Sequence, residues 1–128
     1  MAERDGHAAV DAALLAARAR LDRVEPEDLA REEAAGALVV DLRPEADRRA
    51  DGPLPGAVIV ERIHLEWRLT PTSAHRLSGV DAGTRVVLVC NEGYASSLAA
   101  ATLRDLGLPR ATDLAGGYRA WAARTPSG

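Results

Sequence analysis

Arg85-Val86-Val87-Leu88-Val89-Cys90-Asn91-Glu92-Gly93-Tyr94-Ala95-Ser96-Ser97 decides how this chain folds. A run of β-formers with no alternation predicts a strand buried on both faces, as in a parallel sheet. Ser97 to Leu106 then reads as a helix, so Cys90 stands at a strand-to-helix turn. A thiol there faces free backbone N–H groups and the positive end of a helix dipole, which favours its thiolate. Gly93 permits a positive φ or a close backbone approach, so that successive N–H groups converge on one point. Such a cradle suits a thiolate and equally a persulfide formed on it. The Ser96 and Ser97 hydroxyls can cap the helix or donate to the same centre. The competing reading makes Cys90 a small buried hydrophobe at a strand end.

Outward from this stretch, helical and strand patterns alternate. Residues 8 to 23, rich in Ala with Val10, Leu14, Leu15 and Leu21, predict an amphipathic helix. Pro26 with Glu27 and Asp28 suits the first turn of a second helix ending at Gly36. Ala37 to Leu42 reads as a buried strand, Arg43 to Gly56 as a polar loop, and Ala57 to Val60 as a short strand. Short helical pieces are expected over residues 61 to 79, with Ile63, Leu65 and Trp67 against the sheet. Gly107 fits the stop of the helix after Cys90. Ala111 to Leu114 predicts a brief last strand, and Gly116-Gly117 opens a final helix whose Trp121 packs into the core. Strands alternating with helices imply an α/β domain with a parallel sheet and helices on both faces.

Composition narrows the chemistry. The chain has 128 residues, enough for one domain, and all 16 basic residues are Arg, so Schiff-base lysine chemistry is excluded. A net charge of −3 with scattered Arg gives no footprint for nucleic acid. A single Cys cannot form an intramolecular disulfide. No apolar run is long enough to span a membrane, and Met1 to His7 lacks the character of a signal peptide, so a cytoplasmic location is expected.

Four segments in order resemble the rhodanese-like family. Asp41-Leu42-Arg43 resembles its Asp-x-Arg, and Leu54-Pro55-Gly56-Ala57 its Ile-Pro-Gly-Ala turn. Cys90 to Ser96 is similar to its Cys-x-x-Gly-x-x-Ser loop, and Leu114 to Trp121 to its Leu-x-Gly-Gly-x-x-Ala-Trp. The resemblance implies a rhodanese-like domain over residues 24–125, preceded by a helical extension over 1–23, with a five-stranded parallel sheet flanked by helices. It also implies a sulfurtransferase: Cys90 takes a sulfane sulfur from thiosulfate or from a small-molecule or protein persulfide, and passes it to a thiol or cyanide. The backbone N–H groups of Asn91, Glu92, Gly93, Tyr94, Ala95 and Ser96 would hold substrate, with no metal or organic cofactor.

Departures matter as well. Ala95 stands where many of these loops carry Arg, Pro53 where a His is frequent, and Glu92 puts a negative charge in the loop. A like charge disfavours a thiolate and repels a dianion, so thiosulfate is expected to be a poor donor. Arg43 is read first as the partner of a carboxylate and second as a substrate contact, with Asp41 accepting backbone N–H bonds. Arg62, with His64 and Arg68, could receive an anionic group at the pocket mouth. None of His7, His64 and His75 falls in a motif. Two other classes are weighed. Phosphatases with a similar loop need one more residue and a closing Arg, and no Arg occurs from 91 to 103. A non-catalytic or persulfide-relay binding module would keep the same fold.

Overall fold

Val86–Val89 (β3) lies at the centre of the sheet with all four side chains buried, as its unbroken apolar run requires. It pairs in parallel with Leu38–Asp41 (β1) on one side and with Ala111–Asp113 (β4) on the other. Val58–Ile59 (β2) adds to the outer edge of β1, giving the order β2-β1-β3-β4. These are features of a computed structural model that describes residues 2–124, with side chains from residue 8. The expected domain end at residue 125 and the His7 side chain lie outside the described residues.

The two faces of the sheet take alternate strand residues. Val40, Leu42, Val86 and Leu88 point to one face. There they meet Ala99, Ala100 and Leu103 of Ala95–Asp105 (α5) and Leu65 and Leu69 of Leu65–Leu69 (α4). Val39, Val87 and Val89 point to the other, against Leu29 of Leu29–Ala34 (α2) and Tyr118 of Gly117–Ala123 (α6). Trp121 packs beside this second cluster while only partly buried. The small Ala side chains of α5 bring that helix close to the strands in a core without Phe.

The sheet has four strands where five were expected. The fifth is reduced to a parallel bridge between Val24 and Leu114, closed by Val24 N–H to Asp113 O at 2.9 Å and Ala115 N–H to Val24 O at 2.8 Å. It cannot lengthen, because Pro26 lacks an N–H and opens the 3₁₀ turn Pro26–Asp28. A helix, Glu45–Asp51 (α3), occupies the segment read as a polar loop. It buries no residue, so it leaves no apolar period to detect, and Glu45–Arg49 pairing supports it at i,i+4. Ile63 and Trp67 are exposed, not packed on the sheet. A helix cannot bury residues two apart on one face, and Leu65 and Leu69 take that role.

The N-terminal helix Ala2–Ala19 (α1) begins before residue 8 and ends before 23. It buries Leu14 and Ala17 and packs along α5. The chain then passes through Asp22, whose carboxylate accepts from Arg85 at 3.0 Å and Arg104 at 2.9 Å. Burial pushes that carboxyl up, but the hydrogen bond and charge of Arg85, its own backbone and Arg104 hold it below the usual carboxylate range. No helix among the described residues is long and apolar enough to cross a membrane.

Candidate active site

Between the end of β3 and the start of α5, the chain folds back over the sulfur of Cys90. Sγ accepts the N–H of Gly93 at 3.2 Å and that of Ser96 at 3.4 Å, and lies 3.2 Å from Ser96 Oγ. Gly93 has φ of 84°, and a Cβ there would lie 2.8 Å from the Gly116 nitrogen. Only glycine fits that turn without strain. The resulting concave set of donors is suited to an anion on sulfur.

The carbonyls of the loop face away from the sulfur and are held by other elements. Cys90 O accepts the Tyr118 N–H at 2.8 Å and Asn91 O accepts the Arg119 N–H at 3.0 Å, so the first turn of α6 supports the loop. Gly93 O accepts Arg18 Nη2 at 2.9 Å and Arg23 Nη2 at 3.0 Å, and lies 3.2 Å from Ser97 Oγ. Beneath them the buried Asp113 carboxylate binds Arg23 Nε at 2.9 Å through Oδ1. Its Oδ2 accepts from Ser96 Oγ at 2.7 Å, Ser97 Oγ at 2.8 Å and Arg23 Nη2 at 3.1 Å. Arg18, Arg23 and Asp113 were not found from sequence. One signal was present: an Asp in a strand buried on both faces must have a charged or hydrogen-bonding partner.

Cys90 is half-buried at the floor of an open cavity of about 540 Å³. Leu42, Pro44, Ile63 and Ala95 make much of its wall apolar, and Tyr94 stands exposed at its side. Of the expected site residues, Cys90, Asn91, Glu92, Tyr94, Ala95, Arg43 and Arg62 line this cavity. Gly93 and Ser96 are buried beneath it. His64 and Arg68 line a different cleft, beside Ile59.

The guanidinium groups around the cavity already have carboxylate partners. Arg43 Nε and Nη2 bind Asp41 at 3.1 and 2.9 Å, and Arg62 binds both oxygens of Glu66 at 2.8 and 2.9 Å. Asp41 also accepts the Arg43 backbone N–H at 3.0 Å. Glu92 accepts Arg119 Nη1 at 2.8 Å at the outer edge of the loop. Asp47 and Glu61 add two more carboxylates to the lining. An anion entering here would meet carboxylates and guanidinium groups already paired with them, Arg43 keeping only its buried Nη1 without a partner.

A family model described as the rhodanese-like domain matches residues 25–124. The chain belongs to the rhodanese-like family. No curated protein matches its sequence. Among solved structures, this rhodanese-like domain resembles a protein of unknown function from Rhodopseudomonas palustris, described as a possible tyrosine phosphatase. That likeness has 28% identity and a TM-score of 0.77 and covers 88% of each chain. It also resembles the human single-domain sulfurtransferase TSTD1, at 26% identity and a TM-score of 0.67, over 80% of this chain and 96% of that one. A third likeness is to the polysulfide-sulfur transferase homodimer of Wolinella succinogenes, at 26% identity and a TM-score of 0.69. It covers 91% of this rhodanese-like chain and 83% of the other.

Proposed function

We propose that this protein is a sulfurtransferase that carries a sulfane sulfur as a persulfide on Cys90. The observation that supports it most is the pair of N–H groups from Gly93 and Ser96 aimed at Sγ. With a persulfide donor RSSH, the Cys90 thiolate attacks the terminal sulfur and forms a new S–S bond. The donor's S–S bond breaks, and RS⁻ leaves with its electron pair. An acceptor thiolate R′S⁻ then attacks the outer sulfur of Cys90–S–SH, giving R′SSH and restoring the Cys90 thiolate. Both steps balance with no external oxidant or reductant.

Two of the similar proteins bear sulfur-transferring names, which favours this reading. The likeness to a protein described as a possible tyrosine phosphatase raises phosphoryl transfer as the rival. Phosphate requires a closing Arg that grips it bidentately, and the sequence has none from residue 91 to 103. A rhodanese-like fold that only binds a partner is separated by mass. Treating the protein with an organic persulfide is expected to add the mass of one sulfur, about 32 Da, at Cys90, and Cys90→Ser should gain none. Absence of the adduct with every donor tried would make the binding module the better reading.

The donor is an organic or protein persulfide more readily than thiosulfate. The cavity wall is largely apolar, Ala95 offers no cation, and the Arg groups nearby are engaged by Asp41, Glu66 and Glu92. Replacing Glu92 by Gln removes one charge and releases Arg119, so the thiosulfate KM should fall about fivefold, an exposed-charge effect that fades with salt. Steady-state kinetics with thiosulfate and cyanide check this. A low wild-type KM that Glu92→Gln leaves unmoved would remove the argument.

A further inference from the structure

We infer that Arg23 and Asp113 form a charge pair beneath the active loop that sets where the Ser96 hydroxyl proton points, and so how well the site holds a negative charge on Cys90. The inference concerns the same site as the sulfurtransferase reading and rests on it for its biological sense. Arg23 also lies outside residues 25–124, which the family model matches. An element supplied by the N-terminal extension is therefore part of the site's electrostatics.

A serine hydroxyl has one proton to donate. Ser96 Oγ stands 2.7 Å from Asp113 Oδ2 and 3.2 Å from Cys90 Sγ. While the sulfur carries a proton, the arrangement is consistent: Ser96 donates to the carboxylate and accepts from the thiol. Once the sulfur is an anion, a lone pair of Ser96 would face it unless the hydroxyl turns its proton towards sulfur. That turn takes a hydrogen bond from a carboxylate with no solvent exposure. Asp113 can release it because Arg23 Nε and Nη2 and the Ser97 hydroxyl still satisfy its oxygens.

Without Arg23, Asp113 would be a buried charge two hydrogen bonds from the sulfur, and would hold the Ser96 proton. Both effects oppose an anion on Cys90. Arg43, Asp47, Glu61 and Arg62 line the cavity with Cys90, and on the loop itself stand Arg18, which binds Gly93 O and Ser97 Oγ, and the Glu92–Arg119 pair on the outer edge. None of them binds Asp113. Arg23 and Asp113 act through Ser96 and are positioning residues.

Cys90 is the only thiol in the chain, so alkylation reads this site alone. The informative quantity is the rate with anionic iodoacetate divided by the rate with neutral iodoacetamide. Loosening of the fold speeds both reagents alike, whereas a local charge moves the ratio. Arg23→Gln should slow iodoacetamide about tenfold and lower the ratio, while Asp113→Asn should raise the ratio about threefold. The double variant should return to within about twofold of the wild-type ratio, since both charges are then gone.

A ratio unmoved by either single variant, or a double variant no closer to wild type than Arg23→Gln, overturns the inference. Should Arg23→Gln melt below the assay temperature, Asp113→Asn decides alone, with a raised ratio supporting the pair and a flat or lowered one overturning it. The alkylation ratio needs no sulfur donor. A protein that shows these shifts yet never gains sulfur would refute sulfur transfer and leave the pair standing; the reverse result would refute the pair alone.

Discussion

Replacing Gly117 by alanine is expected to slow sulfur loading of Cys90 about a hundredfold, the scale of a 1 Å misplacement at a reacting centre. The same change should cost at least about 2 kcal/mol of stability, about 1 kcal/mol of it for holding an L-residue in a left-handed backbone and the rest for the clash. Gly117 has φ of 66°, and a Cβ at that position would lie 2.4 Å from Cys90 O and 2.7 Å from both the carbonyl carbon and oxygen of Asn91. These are backbone atoms and cannot rotate aside. Either the start of α6 or the loop must move, and the hydrogen bonds from Tyr118 and Arg119 to those carbonyls go with it.

Gly79→Ala supplies the control. Gly79 has a comparable φ of 85°, but nothing lies within 4 Å of its would-be Cβ. It should pay the backbone cost of about 1 kcal/mol and load sulfur at the wild-type rate. Denaturant unfolding and the time course of the sulfur adduct measure the two effects separately. Equal behaviour of the two variants would mean that the Gly117 contact does not position the loop.

How far the sequence could be read follows from what each residue does. Val86 to Val89 and Val39 to Val40 are buried on both faces, so hydrophobicity alone announces them as interior strands. The turn at Cys90 is equally legible, because a Gly three residues after a strand-end Cys and a following helix form a local pattern. The fifth strand was not legible. Its pairing rests on Val24 alone, and Pro26 ends it, a competition that composition does not reveal. The polar helix α3 escaped because it packs no apolar face, so only its charge spacing marked it.

The lower half of the site was hidden for a different reason. Arg18, Arg23 and Asp113 meet across 90 positions of sequence from Arg23 to Asp113, and nothing local pairs them. Asp113 alone could have raised the question, as a carboxylate inside a buried strand. The answer needed the path of the chain from α1, which carries Arg23 back under the loop. Ile63 and Trp67 show the opposite error, in which apolar residues were read as core although their spacing fits no helical face. Ile63 instead lies in the cavity wall.

Removing the Arg43 side chain, as in Arg43→Ala, is expected to destabilise the protein by about 3–5 kcal/mol, the range for breaking a buried ion pair from one side. The Arg43 and Asp41 side chains are 0% and 2% exposed, and the pair is bidentate. Nη2 also binds Gly52 O at 2.9 Å, and the guanidinium stacks 3.8 Å from the centre of the Tyr118 ring. Tyr118 in turn donates to Asp51 O at 2.8 Å. One side chain therefore joins the end of β1, the end of α3 and the first turn of α6, where the active loop is supported. Without it, Asp41 remains as a buried charge with no counterion, which is the larger part of the cost. Arg43→Met combined with Asp41→Asn removes both charges and should recover at least about half of the loss, since a neutral pair of similar volume pays no charge desolvation. The experiment also weighs the other role open to Arg43, because the residue lines the cavity. A substrate contact would raise the donor's KM while the denaturation midpoint stayed in place. A clamp that fixes the fold moves the midpoint first, and the charge-free double variant then restores stability and sulfur loading together.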